Sequence, residues 1–158
     1  MSDQPEVIIS SLERAPALIV PMVREVPPAI LKRRPKPGKW SAHEHACHLA
    51  AVHPLMSARL DLMLAEDKPR IVPYFPPLSD EDGALLKVDL WEAMERFSRE
   101  RQNLVRRLKT LSAQDWERKA DHGEYTHYTI FIMFRHFAMH DMLHAYRIEE
   151  LLLKNDWE

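Results

Sequence analysis

The sequence predicts an all-helical chain, a four-helix bundle of up-down type with one long crossover loop. Apolar residues recur at helical spacing in four separate stretches, and no stretch sustains the period-two alternation of a strand. Twelve prolines and only three glycines punctuate the chain, which suits helices joined by stiff loops. At 158 residues it can bury a core without staples, so one domain spanning 1–158 is expected.

The first helix is predicted at about 7–26, where Ile8, Leu12, Ala15, Ile19, Met22 and Val26 fall at steps of four and three. Pro16 and Pro21 lie inside it, so a kink or break is expected near one of them. The second helix, about 42–65, starts at Ser41, because Ser41 and Glu44 make a capping box. Its inward stripe runs through His45, His48, Leu49, Val52, Leu55, Met56, Leu60 and Met63. From Glu66 to about Leu85 the chain carries Pro69, Pro73, Pro76 and Pro77, the long crossover and a candidate lid or dimer arm. The third helix, about 87–109, aligns Leu90, Met94, Phe97, Arg101, Leu104, Leu108 and Leu111 in a bundle-type seam. Ser112 to Asp115 offers a further cap for a short turn ending near Trp116. The fourth helix, about 127–153, points Met133, Phe137, His140, His144, Ile148 and Leu151 inward.

Composition narrows the function classes. The net charge is −2, from 22 basic and 24 acidic residues, which gives no reason to expect nucleic acid as a partner. A basic run, Lys32, Arg33, Arg34, Lys36 and Lys39, reads as a solvated loop, or else as an anion-attracting rim. No apolar run reaches the length of about 18 residues that spans a bilayer, and Met1 to Glu6 lacks the pattern of a secretory signal. The single cysteine, Cys47, forms no internal disulfide and fits a reducing compartment, so the expected location is cytoplasmic. Cys47 points about 100° away from His48 on the helix and reads as a small packing residue.

Any metal site must then use histidines and carboxylates, and the chain holds nine histidines. His136, His140 and His144 follow one another at i,i+4, and residues four apart share a helix face. Two such imidazoles can converge on one ion, with His48 from the second helix as third ligand. Spacing leaves open whether the pair is His136 with His140 or His140 with His144. Asp141 stands where zinc proteases of the His-Glu-x-x-His pattern carry their general base, but Asp is shorter, which favours a surface or supporting place. His43, His45, His53, His122 and His127 read as loop, cap or surface residues, and Tyr74, Tyr125 and Tyr128 can reach the cavity from loops.

Two segments carry a resemblance. Trp40-Ser-Ala-His-Glu-His-Ala-Cys-His48-Leu, preceded by Pro37-Gly38-Lys39, and the late His140-Asp-Met-Leu-His144-Ala-Tyr-Arg-Ile148 resemble the signatures of the DinB/YfiT-like superfamily. Glu66-Asp-Lys-Pro69 and Pro73-Tyr74 extend the likeness over most of the chain. The resemblance implies a four-helix bundle, often a dimer, with His48, His140 and His144 holding nickel, zinc or a similar divalent ion. His136, one turn before this pair, is weighed separately as a supporting residue that orients a ligand or a bound water. The resemblance also implies a metal-assisted hydrolase or a transferase of low-molecular-weight thiols, with a small-molecule substrate, possession of a metal pocket without catalysis being the alternative. Many relatives carry a further histidine or glutamine just after the last ligand, where this chain has Tyr146 and Arg147, so no particular substrate carries over. Ligation needs neutral imidazoles, so binding is expected to weaken below about pH 6.5. A homodimer is expected also from Trp91, Phe131 and Leu152, which lie outside the inward stripes.

Overall fold

The computed structural model describes residues 4–73 and 83–157. Tyr74, Pro76, Pro77 and the middle of the crossover lie outside the described residues. In order, the elements are α1 (Gln4–Glu25), α2 (Pro28–Leu31), α3 (Ala42–Ala51), α4 (His53–Ala65), β1 (Arg70–Ile71), a 3-10 turn (Ala84–Lys87), α5 (Leu90–Leu108), α6 (Ala113–Trp116), β2 (Asp121–His122) and α7 (Ile130–Leu153). The long helices form a four-helix bundle in which α1 lies against α5 and α7, and α3 lies against the same two from the other side. No described helix is long and apolar enough to cross a membrane.

Each helix start has a local cause. Ser41 and Ser112 make complete capping boxes with Glu44 and Asp115, while Asp89 and Thr129 accept from the amides of Glu92 and Ile132. The fourth long helix therefore begins at Ile130 rather than near 127. α1 runs as one helix through Pro16 and Pro21, so the expected break is absent. The break falls instead in the second helix, at Val52, because Pro54 sits in the first turn of α4 and has no amide hydrogen for the preceding turn. His53 Nδ1 lies 3.0 Å from the Leu49 carbonyl oxygen and caps that carbonyl as the helix restarts.

Two apolar cores stack along the bundle. One gathers Leu12, Leu60, Met63, Leu104 and Phe134 with Trp116, and the other gathers Ile19, Val23, Leu49, Met94, Phe97 and Ile148. A buried polar layer lies between them. Arg101 donates to both Asp141 oxygens at 2.6 and 2.9 Å, to His53 Nε2 at 3.0 Å and to the Leu12 carbonyl at 3.0 Å, joining four helices. Phe97 and Phe137 each lie 4.9 Å from its guanidinium carbon. Asp141 is thus neither a cavity base nor a surface residue.

Of the apolar residues expected at a dimer face, only Trp91 is exposed. Phe131 and Leu152 are half-buried against the two cores. The two-residue parallel pairing of β1 with β2 pins the crossover to the loop before α7. That pairing closes one side of the cavity described next.

Candidate metal centre

α3 and α7 bring His48, His140 and His144 together, and α7 supplies its pair from adjacent turns. His48 Nε2 lies 3.0 Å from His140 Nε2, and His140 Nε2 lies 3.1 Å from His144 Nε2. One ring nitrogen from each of the three falls within 4.8 Å of the others. His136, one turn earlier, is exposed and stands outside this cluster, its ring 5.9 Å from Tyr125.

Two local features fix His48 and His144. The capping box starts α3 at Ser41, and Arg34 pairs with Glu44 from the preceding loop, so the first turn is held from both sides. One cation of the basic run is therefore spent on helix positioning. Trp40 precedes the cap, its ring 4.9 Å from His48, 5.4 Å from His45 and stacked at 5.9 Å on His144.

His45 is the residue that the loop, cap or surface reading misplaced. Its Nδ1 lies 2.8 Å from His144 Nδ1, on the side of that ring away from the cluster. The signal was present in its spacing, since i,i+3 residues share a helix face and His45 precedes His48 by three. His43 and His53 are likewise buried rather than superficial. His43 Nε2 approaches the carbonyls of Leu85 and Val88 at 3.1 and 3.0 Å, tying the 3-10 turn to α3. His127 is exposed as expected.

Burial sets the charge state. It pushes His48 and His140 down to about 4 and, with repulsion from neighbouring histidines, His144 to about 2. The rings are thus neutral well below the ordinary histidine range, so competition by protons for an ion is expected to begin near pH 4 rather than 6.5. Cys47 is fully buried and its thiol is pushed up to about 12 by burial, which leaves no thiolate to act as ligand or nucleophile.

The donor set fits a divalent transition metal. Three Nε2 lone pairs face one another at the wall of a cavity, and a neutral imidazole has only one hydrogen to place on either nitrogen. A shared cation satisfies all three at once. It also fixes each remaining hydrogen on Nδ1, where His144 has His45 as acceptor; His140 Nδ1 is buried with no partner among the described residues. Among the described residues these three are the group of His, Cys, Asp or Glu placed to hold an ion.

The cavity has a volume of about 370 Å³. Its walls are apolar, from Val52, Leu55, Met56, Met133 and Phe137 with the buried Tyr128, and its rim carries Arg59, His122, Glu124, Tyr125 and His136. Tyr125 and Tyr128 therefore do reach it, with His122 packed 4.6 Å from both rings. Arg59 donates to the Val72 carbonyl at 2.7 Å, holding the strand that follows α4 against the rim.

In comparison with known proteins, the chain superposes on YfiT from Bacillus subtilis, described as "a probable metal-dependent hydrolase with an unusual four-helix bundle topology", with a TM-score of 0.88. The two share 23% identity, and the match covers 100% of this chain and 91% of that one, which establishes the fold. No curated protein sequence matches. A sequence model of the DinB superfamily matches residues 11–148, reaching into all four long helices and including every histidine of the cluster, and the chain belongs to that superfamily.

Proposed function

We propose that this protein is a metal-dependent enzyme for a small molecule, a hydrolase of an activated carbonyl or related bond, with His48, His140 and His144 as ligands. The observation that carries the reading is the convergence of three neutral imidazoles at the wall of a cavity of about 370 Å³, a volume suited to a small substrate. A divalent ion held by three uncharged donors keeps its full charge and an open position, so it supplies Lewis acidity. Nickel and zinc both suit imidazole donors.

The chain's own residues contribute the rest. Trp40 and His45 hold the imidazoles in place, the apolar walls suit an apolar part of the substrate, and His122 and His136 stand at the rim. Transfer of a low-molecular-weight thiol is the second reading, favoured by one feature. The carboxylates nearest in sequence to the ligands, Glu44 and Asp141, are committed to Arg34 and Arg101, leaving Glu124 at the rim as the cavity's acid among the described residues. A thiolate needs no protein base.

The test begins with metal content per chain of purified protein, followed by a panel of activated esters and amides and a second panel of thiols with electrophiles. Turnover of the first panel that disappears with a chelator and in His144→Ala supports the hydrolase. Turnover confined to the second selects thiol transfer. Stoichiometric metal with neither turnover selects a non-catalytic metal or ligand-binding bundle.

A further inference from the structure

The cavity has two chemically different ends. His45 meets His144 and His48 meets His140, so the chain from α3 into α4 runs antiparallel to α7 along the cavity. Val52, Met56 and Arg59 then come level in turn with Phe137, Met133 and Tyr128, all of them lining it. Arg59 follows Leu55 and Met56 by four and three residues and so rises from the cavity face of α4. The imidazoles stand at one end, Arg59 and Tyr128 at the other, and apolar walls run between.

Arg59 is half-buried and its hydrogen bonds go to neutral acceptors. Nη2 donates to the Val72 carbonyl at 2.7 Å, and a further hydrogen bond reaches the Tyr128 hydroxyl. No carboxylate pairs with it among the described residues, whereas Arg34, Arg101 and Arg107 hold Glu44, Asp141 and Asp61. A guanidinium carries five N–H donors in a fork that matches a carboxylate, so donors remain. Tyr128 is only 6% exposed and, accepting from Arg59, keeps its own O–H to donate. Burial lowers His122, and repulsion from Arg59 and His136 lowers it further against the pull of Glu124. The first turn of α7 begins two residues after Tyr128 and adds its dipole to the same field. That field favours an anion, and Glu124 on the same rim favours a single negative charge over a double one.

We propose that Arg59 and the Tyr128 hydroxyl bind a terminal carboxylate of the substrate, whose apolar middle lies along Val52, Met56 and Met133 and whose reactive group faces the three histidines. The substrate is then an acyl compound with a carboxylate several carbons from its reactive end. Only the placing of that reactive end rests on the metal-dependent reading.

Octanoate and octanamide, which share one apolar chain and differ in charge at its end, test it by nuclear magnetic resonance titration of the chelator-treated full chain at about pH 8, where histidines are neutral. Octanoate is expected to bind at least about 10-fold tighter, the effect of one charge-assisted hydrogen-bonded pair. Arg59→Met should abolish that preference while octanamide binds as before. Arg59→Lys should keep part of the preference, and Tyr128→Phe should lose part of it. A parent without preference, or a preference that survives Arg59→Met, would overturn the proposal. So would equal loss of both probes in Arg59→Met, which would show that Arg59 only holds the segment after β1 against the rim. A preference lost in His144→Ala instead would place the carboxylate at the histidines, and octyl phosphate binding tighter than octanoate would replace the carboxylate by a dianion; either outcome overturns it. On metal-loaded protein, the monohydroxamate of octanedioic acid should bind more tightly than its methyl ester, again through Arg59. A hydroxamate group that adds no affinity over octanoate fails the metal reading alone, because the octanoate preference is read without metal.

Discussion

Replacing Arg101 with methionine perturbs the polar layer between the two cores, and the geometry fixes the size of the effect. The guanidinium is 1% exposed and serves three acceptors: the Asp141 carboxylate, His53 Nε2 and the Leu12 carbonyl. Methionine fills most of the volume but supplies no donor, so a fully buried carboxylate loses its counter-ion. Breaking one side of a buried ion pair costs about 3–5 kcal/mol, a large part of the total stability of about 5–15 kcal/mol expected for a domain. The pair itself is a weaker stabiliser than that figure suggests. Burial raises the Asp141 carboxyl above its ordinary range, and the two Arg101 hydrogen bonds oppose that rise. Arg101→Met/Asp141→Leu should therefore recover part of the loss, the part due to the unpaired carboxylate. Recovery stays incomplete, because the Leu12 carbonyl and His53 Nε2 still lack a donor, each at about 1–3 kcal/mol. Urea unfolding followed by circular dichroism measures all three proteins. A single variant within 1 kcal/mol of the parent, or a double variant no more stable than the single, refutes the reasoning.

Three further outcomes follow from the histidines. His48→Ala, His140→Ala or His144→Ala should each abolish stoichiometric metal on elemental analysis, whereas His136→Ala should retain most of it; the reverse pattern would place the ligands one turn earlier on α7. His45→Ala should lower metal affinity by about 10–100-fold in a chelator competition, because it removes the acceptor that orients His144, while His45→Gln should recover part of the loss; unchanged affinity in His45→Ala sinks this role. His53 is pushed down to about 3, first by burial and then by Arg101, against about 6.5 in the unfolded chain. Between those values the unfolded state binds the extra proton, so this contribution to stability is full above pH 6.5 and falls as pH drops, by up to about 1.4 kcal/mol per pH unit. His53→Gln should flatten that part of the stability profile in chelator-treated protein, and a profile unchanged by the substitution would count against it.

The sequence by itself determined where helices form and which histidines could meet. Periods of three and four survive any packing arrangement, and capping boxes at Ser41 and Ser112 depend on residues only three apart, so both were legible locally. The same held for the i,i+4 pair of His140 and His144, while the choice between the two registers came from the resemblance. Tertiary structure decided the rest, because the deciding partners are distant in the chain. Arg101 sits in an apolar seam that gives no hint of its counter-ion, and Asp141 lies 40 positions away. His45 turns from a surface residue into a support only when α7 places His144 within 2.8 Å, 99 positions on. His53 lies beside a proline whose helix break is a local event, yet its burial comes from Arg101, Phe97 and Phe137 on two other helices. Local propensity acts over a few residues, whereas desolvation and pairing act between whichever side chains the bundle brings face to face.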